Sequence, residues 1–254
     1  MLKKQLIKKT SKKSRKKEPD LAVMTLTEAY NLMYTAREMS GLYEDQKEIT
    51  NKYVHATSSG HEAVQLAASM QLLPQDYLFP YYRDDAMLLA IGFSPYELML
   101  QLMAKNDDPF SGGRTYYSHA SVRRNDMPKI PHQSAATGMQ AIPATGVAQG
   151  IKYLEFQKIT EKNKHDPPIV LCSFGDASIT EGEVSEAFQM AVLQKLPIIY
   201  LVQDNEWDIS AHSTETRAMD AAEYALGFKG LETRSVNGSD FAECYEVMGK
   251  IIKT

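Results

Sequence analysis

The chain has 254 residues, of which 43% are hydrophobic and 24% are charged, and its formal net charge is −4. This composition is ordinary for a soluble globular protein, and the length suffices for one sizeable α/β domain or two small ones. No apolar run approaches the roughly 20 residues of a membrane-spanning helix, which predicts a soluble protein.

The two cysteines, Cys172 and Cys244, lie far apart and form no CxxC pair. Their spacing argues against a disulfide scaffold or a structural zinc site, and it fits a reducing compartment such as the cytoplasm. Because Cys172 lies within an apolar run, we expect it to be a small buried hydrophobic residue.

The charge is unevenly distributed. Residues 1–17 contain nine of the 28 Lys and Arg and no acid, so the remainder carries 19 basic and 32 acidic residues, a net −13. The acidic body argues against general nucleic-acid binding. We predict a basic, disordered tail at 1–20, with docking on an acidic partner as the alternative, and a single domain at 21–254.

The first half of the chain has mainly helical patterns. Thr25-Leu-Thr-Glu28 predicts a capping box at the start of a helix that reaches about Glu48. A connector is predicted at Tyr81–Asp84, and residues 106–134 form a long irregular stretch of the kind that is more often functional than idle. Further helical segments are predicted at 60–67, 85–91, 96–104 and 141–156.

Two apolar strands separated by a helix are predicted next, at 168–174, 181–196 and 197–203. This pattern indicates a βαβ unit in a parallel sheet that is covered on both faces, which predicts a three-layer α/β/α fold. Ligands of such sheets bind beyond the carboxyl ends of the strands.

Polar segments follow both strands. Gly175-Asp-Ala-Ser178 follows the first, where a small residue and the next helix favour a phosphate group. Asp204-Asn-Glu-Trp207 follows the second. Mg²⁺ prefers oxygen ligands and often combines one or two carboxylates with phosphate oxygens. The carboxylate of Asp176, the amide oxygen of Asn205 and the carbonyl of Trp207 therefore predict a magnesium–diphosphate site, although a Gly-Asp pair alone is equally typical of a surface turn.

The two segments resemble the thiamine diphosphate motif, a Gly-Asp-Gly followed some 25–30 residues later by an Asn. Over about residues 25–254 the chain resembles the alpha subunit of the decarboxylating component of pyruvate and branched-chain 2-oxo acid dehydrogenase complexes. The segments that carry this resemblance are Ser59–Ala63, Tyr82–Asp84, Ser134–Gly146, Gly175–Gly182 and Leu196–Ser210.

The resemblance implies thiamine diphosphate and Mg²⁺ as cofactors and oxidative decarboxylation of a 2-oxo acid, pyruvate or branched-chain, with acyl transfer to a lipoyl group. It implies as partners a beta subunit, separate or fused behind this chain, and a lipoyl-bearing acyltransferase in a hetero-oligomer. The alternatives are another thiamine diphosphate enzyme, acetoin-cleaving or transketolase-like, and a non-catalytic cofactor-holding subunit.

The resemblance also assigns residues. Asp176, Asn205 and Trp207 are expected to bind the metal, and the cofactor is expected to contact Tyr82, Arg83, Ala135, Thr137, Gly175, Asp176, Ala177, Ser178, Asn205 and Trp207. A salt bridge with Asp84 or Asp85 is the alternative for Arg83. His61 and Glu62 fit either the cofactor or a helix surface. For the remaining histidines a surface or hydrogen-bonded role is favoured over a catalytic one; among them His132 is singled out because it enters the Ser134 segment.

The chain departs from the family pattern at several positions. Ala177 replaces a glycine, which would cost about 1–2 kcal/mol if its φ were positive. Asp204 replaces an Asn, Glu206 a frequent Gly, and Gln203 an Arg of some branched-chain relatives. The family continues into a histidine-containing loop beyond Thr254, so we expect an incomplete, inactive chain in which no catalytic acid or base can be named.

Overall fold

The computed structural model describes residues 23–53, 55–131, 135–159 and 166–254. The predicted tail at 1–20, His132 and Ser134 lie outside these ranges. The helices are α1 (Val23–Asp45), α2 (Lys47–Thr50), α3 (Glu62–Ser69), α4 (Asp85–Ala90), α5 (Pro95–Leu102), α6 (Ala141–Phe156), the 3₁₀ helix Asp176–Thr180, α7 (Gly182–Gln194), α8 (Ser213–Thr216), α9 (Ala221–Leu226) and α10 (Phe241–Ile252). The strands are β1 (Tyr77–Phe79), β2 (Val170–Gly175), β3 (Ile198–Gln203), β4 (Trp207–Asp208) and β5 (Ala211–His212).

The predicted parallel sheet is confirmed. Its order is β1-β2-β3, with all pairs parallel, and β2-α7-β3 is the predicted βαβ unit. Alternate residues of β2 enter two separate apolar clusters: Leu171 packs with α1, α3 and α4, whereas Cys172 and Phe174 pack with α6 and α7. Helices therefore cover both faces of the sheet, as the continuous apolar run of β2 predicts.

β3 differs from the prediction of a fully buried strand, because residues 198–202 are half-buried. It is an edge strand, since β2 is its only hydrogen-bonded neighbour among the described strands. The fully buried Cys172 confirms the prediction for that residue.

The helical predictions are confirmed in type and differ at their ends. Thr25 lies inside α1, which already begins at Val23, so the capping box predicted at Thr25 is wrong. α5 does begin with a capping box, in which the Ser94 Oγ accepts from the Glu97 N–H and the Ser94 N–H donates to the Glu97 carboxylate. Residues 106–131 contain turns and isolated bridges, as their composition predicts.

Within the described ranges, no helix combines the length and the apolar character needed to cross a membrane.

Candidate functional site

The register of the sheet brings the two predicted polar segments together. Gly175, the last residue of β2, is paired with Gln203, the last residue of β3. The residues that follow emerge side by side, and the Asn205 N–H points to the Asp176 Oδ1 at 3.4 Å. The expectation that Asp176 and Asn205 share one edge is therefore met in the folded chain.

Asp176 is buried and lies between a cation and a second acid. Its Oδ2 accepts a hydrogen bond from Nη2 of Arg217, and both side chains of this ion pair are at least 95% buried. The carboxyl group of Asp204 lies beside that of Asp176. Partial burial raises the pKa of Asp204 and the adjacent Asp176 adds to the rise, whereas the Glu206 N–H and Arg217 oppose it.

Ala177 and Ser178 lie in the 3₁₀ helix that follows β2. Ala177 is not among the residues with positive φ, so the alanine is accommodated there without the backbone strain that we considered. The Ser178 hydroxyl donates to the Gly175 carbonyl at 2.7 Å and thereby closes the turn. Both residues lie beside Asp176, and their contact with the cofactor stays a prediction.

Asn205 and Trp207 form a local turn of their own. The Asn205 Oδ1 accepts from the Trp207 N–H at 2.9 Å, and the second acceptor site of this oxygen has no partner among the described residues. Trp207 is 50% exposed, and its ring and that of His212 lie edge to face with their centroids 5.1 Å apart. Glu206 has a φ of +63°, which explains why a glycine suits this position.

The connector at 81–84 borders the same edge. The ring of Tyr81 lies against Gly175, since a Cβ on that glycine would be 3.6 Å from it. The Arg83 guanidinium donates to the hydroxyls of Tyr81 and Tyr82 at 3.2 and 3.3 Å, and its carbon lies 5.2 Å from the centroid of the Tyr82 ring. Among the described residues Arg83 has no ion pair, so the alternative of a salt bridge to Asp84 or Asp85 is not realised.

A buried polar network beneath the connector was missed by the sequence analysis. The Gln203 Nε2 donates to Asp84 at 2.7 Å and to the Ser173 hydroxyl at 2.8 Å. The Gln65 Nε2 donates both to Gln203, at 2.9 Å, and to the Arg83 carbonyl, at 3.0 Å. Burial raises the pKa of Asp84 to about 6, although the Tyr81 N–H and Gln203 oppose the rise. The sequence did contain a signal for this network, namely the polar residues Ser173 and Gln203 inside the otherwise apolar strands β2 and β3.

His61, which precedes α3, and Glu62, its first residue, have different surroundings. Burial and the nearby Arg83 lower the pKa of His61, which also lies within electrostatic reach of Asp176 and so borders the site. Glu62 is buried, with its carboxylate paired to Arg37 Nε at 2.9 Å and accepting the Gly60 N–H at 2.8 Å. Glu62 therefore orders the turn before α3 and is not a surface residue.

The remaining two predicted contacts lie elsewhere. Ala135 is exposed and lines a cleft of about 570 Å³ together with Tyr117 and His119, and Asp176 and Asn205 are not part of its lining. Thr137 is exposed. Gly138 holds this segment close to α7, because a Cβ at its φ of +81° would lie 3.2 Å from the Glu181 side chain.

The groups at this edge fit a metal ion and a diphosphate. Within the described ranges no cluster of three or more His, Cys, Asp or Glu side chains could hold a metal. A cation at Asp176 would therefore depend on amide, carbonyl and phosphate oxygens, which is how Mg²⁺ is commonly bound. The Arg217 Nη1 is buried without a hydrogen-bond partner among the described residues, so a donor for an anion is also present.

A parallel α/β sheet with acids, an amide and two arginines at its carboxyl edge is typical of enzymes that bind phosphorylated ligands at that edge. The chain belongs to the family described as Dehydrogenase E1 component, whose sequence model matches residues 30–253. The family resemblance found in the motifs is thereby confirmed.

Several curated proteins are similar to the chain. The 2-oxoisovalerate dehydrogenase subunit alpha of Bacillus subtilis is 29% identical over 74% of this chain and 54% of its own length. The 3-methyl-2-oxobutanoate dehydrogenase subunit alpha of Mycobacterium tuberculosis is 27% identical over 91% and 57%. The pyruvate dehydrogenase E1 component subunit alpha of Rickettsia bellii is 29% identical over 74% and 53%. The chain thus spans about half the length of the curated relatives that it matches.

Proposed function

We propose that this chain binds thiamine diphosphate and Mg²⁺ as the alpha half of a 2-oxo acid dehydrogenase. The reaction would be oxidative decarboxylation of a 2-oxo acid, pyruvate or branched-chain, with acyl transfer to a lipoyl group. The observation that carries the proposal is the meeting of Asp176 and Asn205 at the carboxyl edge of the sheet, within a chain that belongs to this family.

The metal and the diphosphate would be held by separate groups. Asp176, the second acceptor site of the Asn205 Oδ1 and the Trp207 carbonyl are the proposed metal ligands. Tyr82 and Arg83 are the proposed diphosphate ligands. Arg83 suits this role because its planar fork can donate to two phosphate oxygens and because no carboxylate competes for it in the described part of the chain.

Around these groups, Gly175, Ala177 and Ser178 would form the wall of the cofactor site. The Tyr81 ring already lies against Gly175, so a side chain there would narrow the approach to the turn. Ala135 and Thr137 are proposed only for contacts with the far end of the cofactor. Ala135 lines a cleft whose lining does not include Asp176. Thiamine diphosphate supplies the carbanion-stabilising chemistry when bound, and the protein binds and orients it.

The exposure of residues next to the proposed site supports the proposal that partner subunits bind there. Trp207 is half exposed and the neighbouring Ile209 is 99% exposed, so this edge presents apolar surface to its surroundings. We infer that a beta subunit completes the site and that a lipoyl-bearing acyltransferase accepts the acyl group. The two buried free cysteines are compatible with the cytoplasm as the place of action.

Calorimetric titration tests the cofactor assignment. Thiamine diphosphate with Mg²⁺ is titrated into the parent chain, Asp176→Asn and Asn205→Ala, each with and without a candidate beta subunit. We expect metal-dependent binding that both substitutions weaken. Asp176→Asn, which removes a charged ligand, should weaken it by about 100-fold, and Asn205→Ala, which removes a neutral amide ligand, should weaken it less. Asp208→Asn, at the exposed position directly after Trp207, is the matched control for the charge change and should bind like the parent.

The outcomes separate the candidate functions. Equal binding by the parent and Asp176→Asn would refute the site. Binding accompanied by 2-oxo acid turnover that requires a lipoyl acceptor would support the dehydrogenase, whereas turnover without the acceptor would favour a transketolase-like enzyme. Binding without turnover in the presence of the cognate beta subunit would favour a cofactor-holding subunit.

A further inference from the structure

Arg217 is a buried arginine at the cofactor edge to which the family resemblance assigns no role. It follows α8, and its side chain is only 5% exposed. Its Nη2 donates to the Asp176 Oδ2, while its Nη1 is buried without a hydrogen-bond partner among the described residues. A buried guanidinium donor that is left unpaired is unfavourable, so this donor suggests a partner that arrives from outside the chain.

The charges around Arg217 explain why it lies against Asp176. Asp176 and Asp204 place two carboxyl groups side by side at this edge, and Arg217 pairs with Asp176 and acts electrostatically on Asp204. Asp204 is also one of the positions at which this chain departs from the resembling family, which has an Asn there. Without a neighbouring cation, the two carboxylates would repel each other strongly, because partial burial reduces the screening by water.

Metal binding and the Arg217–Asp176 ion pair use the same carboxylate. A divalent cation on Asp176 would repel the guanidinium, because both are positive and both use the carboxylate of Asp176. A guanidinium released from Asp176 would keep Asp204 as a neighbour and would carry a donor fork whose geometry matches phosphate oxygens.

We propose that Arg217 occupies the cation position at Asp176 until a divalent metal replaces it, and then binds the diphosphate of the incoming cofactor. This inference rests on the proposed function. It assigns to Arg217 two opposite effects: competition with the free metal, and attraction of the metal–diphosphate complex.

The first test measures the metal alone. Mn²⁺ binding is followed by electron paramagnetic resonance in the parent chain, Arg217→Gln, Arg217→Lys and Arg234→Gln. Removal of the competing cation should tighten Mn²⁺ binding to Arg217→Gln by about threefold to tenfold. Arg217→Lys keeps the charge and should bind Mn²⁺ like the parent, as should Arg234→Gln, which removes an arginine from an exposed pair with Glu232.

The second test measures the diphosphate. Magnesium pyrophosphate and magnesium thiamine diphosphate are titrated separately at saturating Mg²⁺, with the fluorescence of Trp207, the single tryptophan of the chain, as the signal. Loss of a charge-assisted hydrogen bond should weaken binding of both ligands to Arg217→Gln by about 10-fold to 100-fold. Arg217→Lys should lie between the parent and Arg217→Gln, and Arg234→Gln should match the parent.

Opposite shifts of metal and diphosphate affinity in Arg217→Gln would support the proposal, since a merely structural role would weaken both. Parallel weakening, or unchanged diphosphate binding, would overturn it. If Arg217→Gln does not fold, Arg217→Lys decides: diphosphate binding equal to that of the parent overturns the proposal. If the parent binds magnesium pyrophosphate but not thiamine diphosphate, the proposed cofactor fails while the role of Arg217 is still decided by the pyrophosphate titration.

Discussion

The buried acid Asp85 is expected to make the stability of this protein depend on pH. Asp85 is the first residue of α4 and is fully buried. Its Oδ1 accepts from the Ser118 hydroxyl at 2.5 Å, and its Oδ2 has no hydrogen-bond partner among the described residues. Burial raises the pKa of Asp85 to about 7, although Ser118 and Tyr117 oppose the rise.

The sign of the effect follows from linkage. The pKa of Asp85 is higher in the folded chain than in the unfolded one, so the folded state binds the extra proton between about pH 4 and pH 7. The contribution of Asp85 is therefore most favourable below pH 4 and is lost as the pH rises through about 7. The difference between a pKa of about 7 in the folded chain and about 4 in the unfolded chain corresponds to a penalty on the order of 4 kcal/mol above pH 7.

Asp85→Asn tests this reasoning, because asparagine resembles the protonated carboxyl group and cannot ionise. The free energies of unfolding of parent and variant are measured by urea titration between pH 4.5 and pH 8.5. We expect the variant to gain on the parent as the pH rises, by about 2–4 kcal/mol across this range. Asp208→Asn, at an exposed position, should show no such trend. A difference between Asp85→Asn and the parent that does not change with pH would refute the argument.

Three further predictions concern the backbone and the buried network. Ile209→Gly should stabilise the chain by about 1 kcal/mol in thermal unfolding. Ile209 has a φ of +55° in the two-residue turn between β4 and β5, where glycine is favoured. Equal melting temperatures of parent and variant would contradict this. Gly113→Ala should destabilise by roughly 3 kcal/mol, since its Cβ would lie 2.5 Å from the Ala104 carbonyl oxygen. Gly112→Ala, whose Cβ would make only an ordinary contact at 3.6 Å with the Asn106 carbonyl oxygen, should lose about 1 kcal/mol for its positive φ. Gln203→Leu should lower the free energy of unfolding by about 2–3 kcal/mol, because its buried hydrogen-bond partners lose their partner. It should also weaken magnesium pyrophosphate binding, because the connector that carries Arg83 loses the hydrogen bond to Asp84. Unchanged pyrophosphate affinity would show that the buried network does not support the binding site.

The sequence alone predicted the βαβ unit and its polar edge. β2 is a continuous apolar run that ends in Gly175, and such a run is stable only where it is covered on both faces. Because parallel neighbours end at the same edge, the position of Asp176 after one strand and of Asn205 after the next predicts their proximity without any knowledge of side-chain packing. Local periodicity likewise predicted α6 and α7.

Only the tertiary structure decided which other side chains meet at that edge. Arg217 reaches Asp176 across 41 residues, and Gln65 reaches Gln203 across 138. Such contacts depend on how separate elements pack, and no local pattern encodes them. The same reason places Ala135 in a different cleft and keeps Ala177 free of strain, since the path of each turn is set by the elements that it joins. The motif thus identified the carboxyl edge, and the packing of distant segments determined the cation that now lies on Asp176.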